Sequence, residues 1–199
     1  MVAKKKKVPK KRPYNNSTRT AKSSQTQLQI IETLVNLLAE RRGGEVQIQE
    51  IADKTGITTR TIFRFFKDKK TLHEAMDVYL LSYVSAGAKK LDALNFVDFG
   101  KNVVKAFEEN ESITIAYVLS PLGQEARLLF RKKLNQLMME KIAAEKNIKI
   151  TKENLPRLAF IVNMVNAKVW YDLKTEHQLT GKEIEDAMGW GIANLLKSL

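Results

Sequence analysis

The amino-acid sequence predicts an all-α protein of about nine helices, with an N-terminal three-helix unit followed by a larger helical domain. Three observations carry this expectation. Apolar residues recur at intervals of three and four from Leu28 to Leu195, the period of a helix with one buried face. Helix-capping residues punctuate these runs. Alternation of the strand kind is confined to Ile148-Lys149-Ile150, too short to weigh against so much helical periodicity.

The elements follow in chain order. Residues 1–24 read as a disordered basic arm, because Pro9, Pro13, Asn15 and Asn16 sit among Ser and Thr with almost no large apolar residue. Order is expected from about Gln25, where Leu28, Ile31, Leu34, Val35 and Leu38 begin a helical stripe that Gly43-Gly44 ends. A short helix follows with Ile48, Ile51 and Ala52 on one face and Gly56 as its stop. Thr58 suits the N-cap of a third helix, Thr59 to Phe65. Asp68 caps a fourth, striped by Leu72, Met76, Tyr79, Leu80 and Tyr83. Five more helices are expected near 96–109, 112–120, 122–147, 153–176 and 181–197. Ser120-Pro121 and Pro156 mark first turns, and Thr180 with Glu183 forms a capping box. The resulting division is an arm at 1–24, a first unit at 25–70 and a second at 71–199.

Charge is distributed unevenly. The net charge is +12, and nine of those charges lie in residues 1–23, which contain no acid. A basic arm on a near-neutral body suggests an anionic polymer or surface as partner, nucleic acid first and an anionic membrane second. The simpler alternative is a solvated tail that aids solubility. The run KKKKVPKKR also has the composition of a nuclear localisation signal. No apolar run approaches the ~20 residues of a membrane span, and no apolar stretch follows the basic N-terminus as a signal peptide requires. The expected location is therefore the cytoplasm, at the nucleoid.

Composition also argues against catalysis. Without cysteine there is no disulfide, thiolate metal site or cysteine nucleophile. The two histidines, His73 and His177, lack metal-ligand spacing, and neither a glycine-rich phosphate loop nor a nucleophile elbow occurs. Glu108, Glu109 and Glu111 read as a solvated acidic turn. No enzyme, cofactor or metal is expected.

The segment with the strongest signal is 48–72, IQEIADKTGITTRTIFRFFKDKKTL. Ile48, Ile51, Ala52, Ile57 and Ile62 would lock two short helices together across the turn at Gly56, whose missing Cβ permits a positive backbone angle. Thr59, Arg60, Thr61 and Arg64 are then exposed at the start of the second helix, which fits a DNA major groove. Thr58, Thr61 and Lys69 suit phosphate contacts. A plain helical hairpin in a core is the alternative for such a segment taken alone.

At these residues the chain resembles the TetR family of bacterial regulators. The resemblance rests on Ile51-Ala52, Gly56-Ile57-Thr58, Thr61-Ile62-Phe63, Phe65-Phe66 and Lys69 with Leu72, and on the first helix ending Ala39-Glu40-Arg41-Arg42-Gly43. It covers roughly residues 28–80; beyond them only length and helical character agree. It implies that Thr58, Thr59, Arg60, Thr61, Phe63, Arg64, Phe65 and Lys69 meet double-stranded DNA. Phe63 replaces the family's usual Tyr and so lacks a phosphate-binding hydroxyl. Arg60 replaces a small residue, and Gln47 stands where a Thr cap is frequent, which leaves that helix start less well fixed.

The resemblance further implies a small-molecule pocket among helices four to eight and a homodimer interface on the last two. Tyr83, Phe107, Tyr117, Met138, Asn163, Asn166 and Trp170 have the mixed apolar and polar character of a lining for a small organic effector. Each also suits an ordinary core, and the two asparagines could instead pair across a dimer. Val162, Val169 and Leu173 on the 153–176 helix, with Ile184, Met188, Gly191 and Leu195 on the last, are the expected interface, Gly191 allowing a partner backbone to approach. The function so implied is a ligand-responsive repressor binding a palindromic operator as a homodimer. The alternative is a sequence-tolerant DNA-coating or chromosome-associated protein with no effector.

Overall fold

The computed structural model describes residues 16–119 and 124–199. The described residues form ten α-helices and no strand. These are α1 (Asn16–Glu40), α2 (Ile48–Thr55), α3 (Thr59–Phe65), α4 (Lys69–Ala88), α5 (Phe96–Glu109), α6 (Glu111–Leu119), α7 (Gln124–Lys146), α8 (Leu155–Met164), α9 (Ala167–Thr175) and α10 (Gly181–Lys197). Residues 1–15 of the basic arm, with Lys4 to Arg12, and the Ser120-Pro121 cap lie outside the described residues.

Several caps form as their chemistry requires. The Thr58 hydroxyl accepts from the Thr61 amide at 3.3 Å, Asp68 accepts from the Thr71 amide at 2.7 Å, and the Thr180–Glu183 box closes in both directions.

Two helix boundaries differ from expectation. α1 starts at Asn16, nine residues before Gln25, where order is expected to begin. Its early turns are polar all round, so periodicity gives no sign of them. Their hydroxyls fold back on the helix, Ser24 donating to the Thr20 carbonyl at 3.1 Å and Thr26 to the Lys22 carbonyl at 2.9 Å. The expected 153–176 helix is two helices. Asn166 adopts extended backbone (φ −144, ψ 136) and its side chain accepts from the Lys168 amide at 2.9 Å, capping α9. The apolar period runs straight through this break and conceals it.

Two hydrophobic cores lie side by side. The first joins α1–α4 through Ile30, Leu34, Leu38, Ile51, Ile62, Leu72 and Met76, and takes in Ala116 of α6. The second joins α5 and α7–α10 through Phe96, Phe99, Met138, Ile142, Leu158, Trp170 and Ile192. α6 therefore belongs to both. Its Ile113 and Tyr117 also pack on the first core, while Ile115 packs on the second. The turn after α1 presses on the end of α6, where a Cβ added at Gly43 would lie 2.5 Å from the Leu119 carbonyl oxygen.

The expected interface residues differ in how exposed the single chain leaves them. Val162, Ile184, Met188 and Gly191 are buried inside the chain's own second core, and Val169, Leu173 and Leu195 are half-buried around it. The stripe on α10 faces α5 and α8 of the same chain. Gly191 makes room for Met164 of the same chain, whose methyl carbon a Cβ would meet at 2.8 Å. The apolar groups left exposed on α8 and α10 are Leu155, Phe160 and Trp190, the last two 63% and 73% exposed.

Candidate nucleic-acid interface and interior cavity

The turn between α2 and α3 depends on Gly56, whose φ of 69° is left-handed. A Cβ there would meet nothing within 4 Å, so the requirement is torsional and not steric. Ile62 is fully buried and Phe66 nearly so, which fixes the rotation of α3 about its axis. The opposite face carries Arg60, Phe63 and Arg64 exposed, with Thr59 and Thr61 half-buried beside them. Phe63 is a large ring left 46% exposed. Phe65 is half-buried against the first core and serves as a platform, with the Arg64 guanidinium 5.3 Å from its ring centre. Among the described residues Arg60, Arg64 and Lys67 have no carboxylate partner. Lys67 was not among the expected contacts, since nothing in its spacing separates it from an ordinary surface lysine.

Charge pairs hold this unit together from below. The Glu50 carboxylate accepts from the Gln47 amide at 2.8 Å and pairs with Arg41, which also donates to the Glu45 carbonyl at 2.7 Å. The start of α2 is thus fixed by Glu50, whatever the Gln47 side chain does. These contacts, the amide first, hold the Glu50 carboxyl below its ordinary pKa. Lys54 pairs with Glu40 at 2.8 Å, tying α2 to α1. Lys69 does not stand free for a phosphate. Its ammonium is 2.8 Å from Glu45, which lowers the pKa of that carboxyl.

A cavity of about 100 Å³ lies between α4, α5, α6 and α7 and the α8–α9 break. Tyr83, Phe107, Tyr117, Met138 and Asn166 line it. Asn163 and Trp170 do not. Asn163 is exposed and accepts from the Arg131 guanidinium at 2.9 Å. Trp170 is fully buried behind the wall, its ring centre 5.9 Å from that of Phe107 and its indole N–H donating to Glu108 at 2.7 Å. Glu108 in turn pairs with Lys174 at 2.9 Å, so this acidic residue is a structural anchor. The lining also includes Asn110, Thr114, Arg131 and Asn135. Arg131 was hidden because it opens the run Arg131-Lys132-Lys133, which reads as a solvated face. The Thr114 hydroxyl is spent on the Phe107 and Asn110 carbonyls at 3.3 and 3.0 Å.

Two routes connect the cavity with the first core. One is α6, whose Ile113 and Tyr117 touch both. The other is on α4, where the hydroxyl of Tyr79 donates toward Tyr83 or Glu32 of α1, each at 3.4 Å. Burial, then these two neighbours, push the Tyr79 hydroxyl's pKa well up, so it stays protonated. Among the described residues no cluster of side chains suits a metal ion, and no helix is long and apolar enough to cross a membrane.

No curated protein and no solved structure matches the chain. The family model described as bacterial regulatory proteins, tetR family, matches residues 30–76, less than a quarter of the chain but the part containing α2, the Gly56 turn and α3. The match falls on the turn and outward helix face described above, so residues 30–76 are similar to the N-terminal region of bacterial regulatory proteins of the tetR family.

Proposed function

We propose that the protein is a homodimeric repressor whose hold on a palindromic operator is released by a small molecule in the cavity. The observation that carries this reading is the position of α6, which lines the cavity and contributes Ala116 to the core of the DNA-binding unit. A ligand that wedges Ile113 or Tyr117 aside moves a helix on which α1 rests. Cores of this density shift between discrete packings and do not deform smoothly. The ligand must bind the two arrangements unequally for DNA affinity to change.

On DNA, α3 of each subunit would enter a major groove, with half-sites about 34–36 Å apart. Arg60 suits a guanine edge and the Phe63 ring a thymine methyl. Thr58, Thr59, Thr61, Arg64 and Lys67 would fix the register through phosphates. The partner subunit would cover Phe160 and Trp190, the most exposed large apolar side chains of α8 and α10.

The test is selection of bound genomic fragments at fixed salt by the full-length protein and by an Arg60→Ala/Thr61→Ala variant. A palindromic motif that disappears in the variant is the expected result. Binding without a motif, unchanged in the variant, would replace this reading with a sequence-tolerant DNA-coating role.

A further inference from the structure

We propose that the cavity takes a small organic anion, a carboxylate on an apolar chain or ring, with Arg131 binding the headgroup. This rests on reading the cavity as the effector site and specifies the chemical class of its occupant.

The charge inventory is the first argument. Among the described residues, the lining contains one cation, Arg131, and no carboxylate. Arg131 is half-buried, and among the described residues it forms no ion pair. Its one hydrogen-bond partner is the neutral Asn163 amide oxygen at 2.9 Å. A partly desolvated guanidinium without a counter-charge is costly, and an incoming anion relieves that cost. Arg131 also lies at the opening, since it borders the adjoining surface depression formed with Leu128 and Lys168. Lys168 is already neutralised by Asp172, so it does not compete for the ligand.

The balance of donors and acceptors is the second argument. Asn135, one turn along α7 from Arg131, has no described hydrogen-bond partner for its amide. The Asn166 oxygen is taken by the Lys168 amide, which leaves its NH₂ to donate. The Thr114 hydroxyl proton is spent on backbone carbonyls, and the Asn110 NH₂ on the Ala106 carbonyl at 3.0 Å. The donors left for an anionic headgroup are the Arg131 guanidinium, the Asn135 amide and the Asn166 NH₂. The remainder of the wall, Phe107, Leu134 and Met138 among others, suits an apolar body. Asn163 then acts as a positioning residue that holds the guanidinium at the opening.

The experiment is calorimetric titration of the full chain with octanoate and 4-phenylbutanoate, each beside its neutral amide, octanamide and 4-phenylbutanamide. Operator affinity is followed by fluorescence anisotropy in parallel. At least one acid should bind the wild type on the order of tenfold or more tightly than its amide, as a charge-assisted pair predicts. Arg131→Gln should remove the preference for acid, and Arg131→Lys should restore part of it. The acid–amide comparison in the wild type stands even if a variant fails to fold. Equal binding of acids and amides, with equal release of operator, would overturn the anion but leave the release mechanism standing. Arg131-dependent binding of acids without any change in operator affinity would do the reverse. If none of the four compounds binds the wild type, the inference is overturned.

Discussion

The Lys69 ammonium sits 2.8 Å from the Glu45 carboxylate, so a cation expected at the DNA backbone is internally paired in the free protein. Binding a phosphate through Lys69 requires that this pair be exchanged. Glu45→Gln should therefore raise operator affinity, by a few-fold at most because the pair is exposed and solvent-screened. It should also steepen the log–log salt dependence by about one unit per half-site, the mark of one added phosphate contact. Anisotropy titrations across a salt series measure both. An unchanged slope would mean that Lys69 makes no phosphate contact.

The face of α3 separates residues for binding from residues for stability. Arg60→Ala should cost about 1–3 kcal/mol of operator affinity and relax specificity at one base position. Phe63→Ala should weaken the operator complex while leaving the thermal midpoint almost unchanged, since the ring is 46% exposed. Ile62→Ala, one residue away and fully buried, should instead destabilise the fold by about 2–5 kcal/mol. Thermal unfolding and fragment selection on the three variants check the pattern.

The helix-turn-helix was legible because its punctuation is local. Gly56, Thr58 and Asp68 act within a few residues of themselves, so their chemistry can be read without knowing what packs above them. Which apolar stripe serves the chain's own core was not legible for the opposite reason. Val162, Ile184 and Met188 are apolar at helical spacing whether they face α5 or a second subunit, and the sequence carries no sign of which. The glycine at 191 is ambiguous in the same way, because close approach to Met164 and close approach to a partner require the same missing Cβ. The α8–α9 break had a signal in Asn166, a good cap, which the uninterrupted apolar period outweighed. Five of the seven expected lining residues do reach the cavity, yet the charged one, Arg131, was hidden in a basic run.

Acid should loosen the fold through its caps. Glu45, Glu50, Asp68 and Glu183 all have lowered pKa values, by Lys69 in the first case and by backbone amides in the others. A depressed folded-state pKa contributes stability that is present above the unfolded value and is lost as pH falls through the folded one. The thermal midpoint should therefore show no loss from these groups at neutral pH. It should decline as pH drops below about 4.5, the ordinary glutamate value. Glu50→Gln should soften that decline, as followed by circular dichroism.

The exposed pair on α8 and α10 should govern assembly. Trp190→Glu or Phe160→Glu should yield a monomer by sedimentation, with helical content retained, because neither side chain supports the chain's own core. Met188→Ala should lower stability by about 2–5 kcal/mol, since the side chain is buried within the protomer. A dimer that survives both glutamate substitutions would place the interface elsewhere.

Gly43 should report on the contact between the DNA-binding unit and α6. Its φ is +83°, and a Cβ would fall 2.5 Å from the Leu119 carbonyl oxygen, which as backbone cannot swing aside. Gly43→Ala therefore meets a torsional penalty on the order of 1 kcal/mol and a steric one as well. The lesser strain is relieved by separating the end of α1 from the end of α6. If α6 transmits ligand binding, operator affinity in the variant should become less responsive to ligand while the ligand affinity itself changes little. Gly56→Ala is the matched control, because it carries a similar torsional cost with nothing near its Cβ. It should destabilise the turn without altering the ligand's effect on DNA. Anisotropy and calorimetry on the two variants distinguish these outcomes, and an undiminished response in Gly43→Ala would remove α6 from the route.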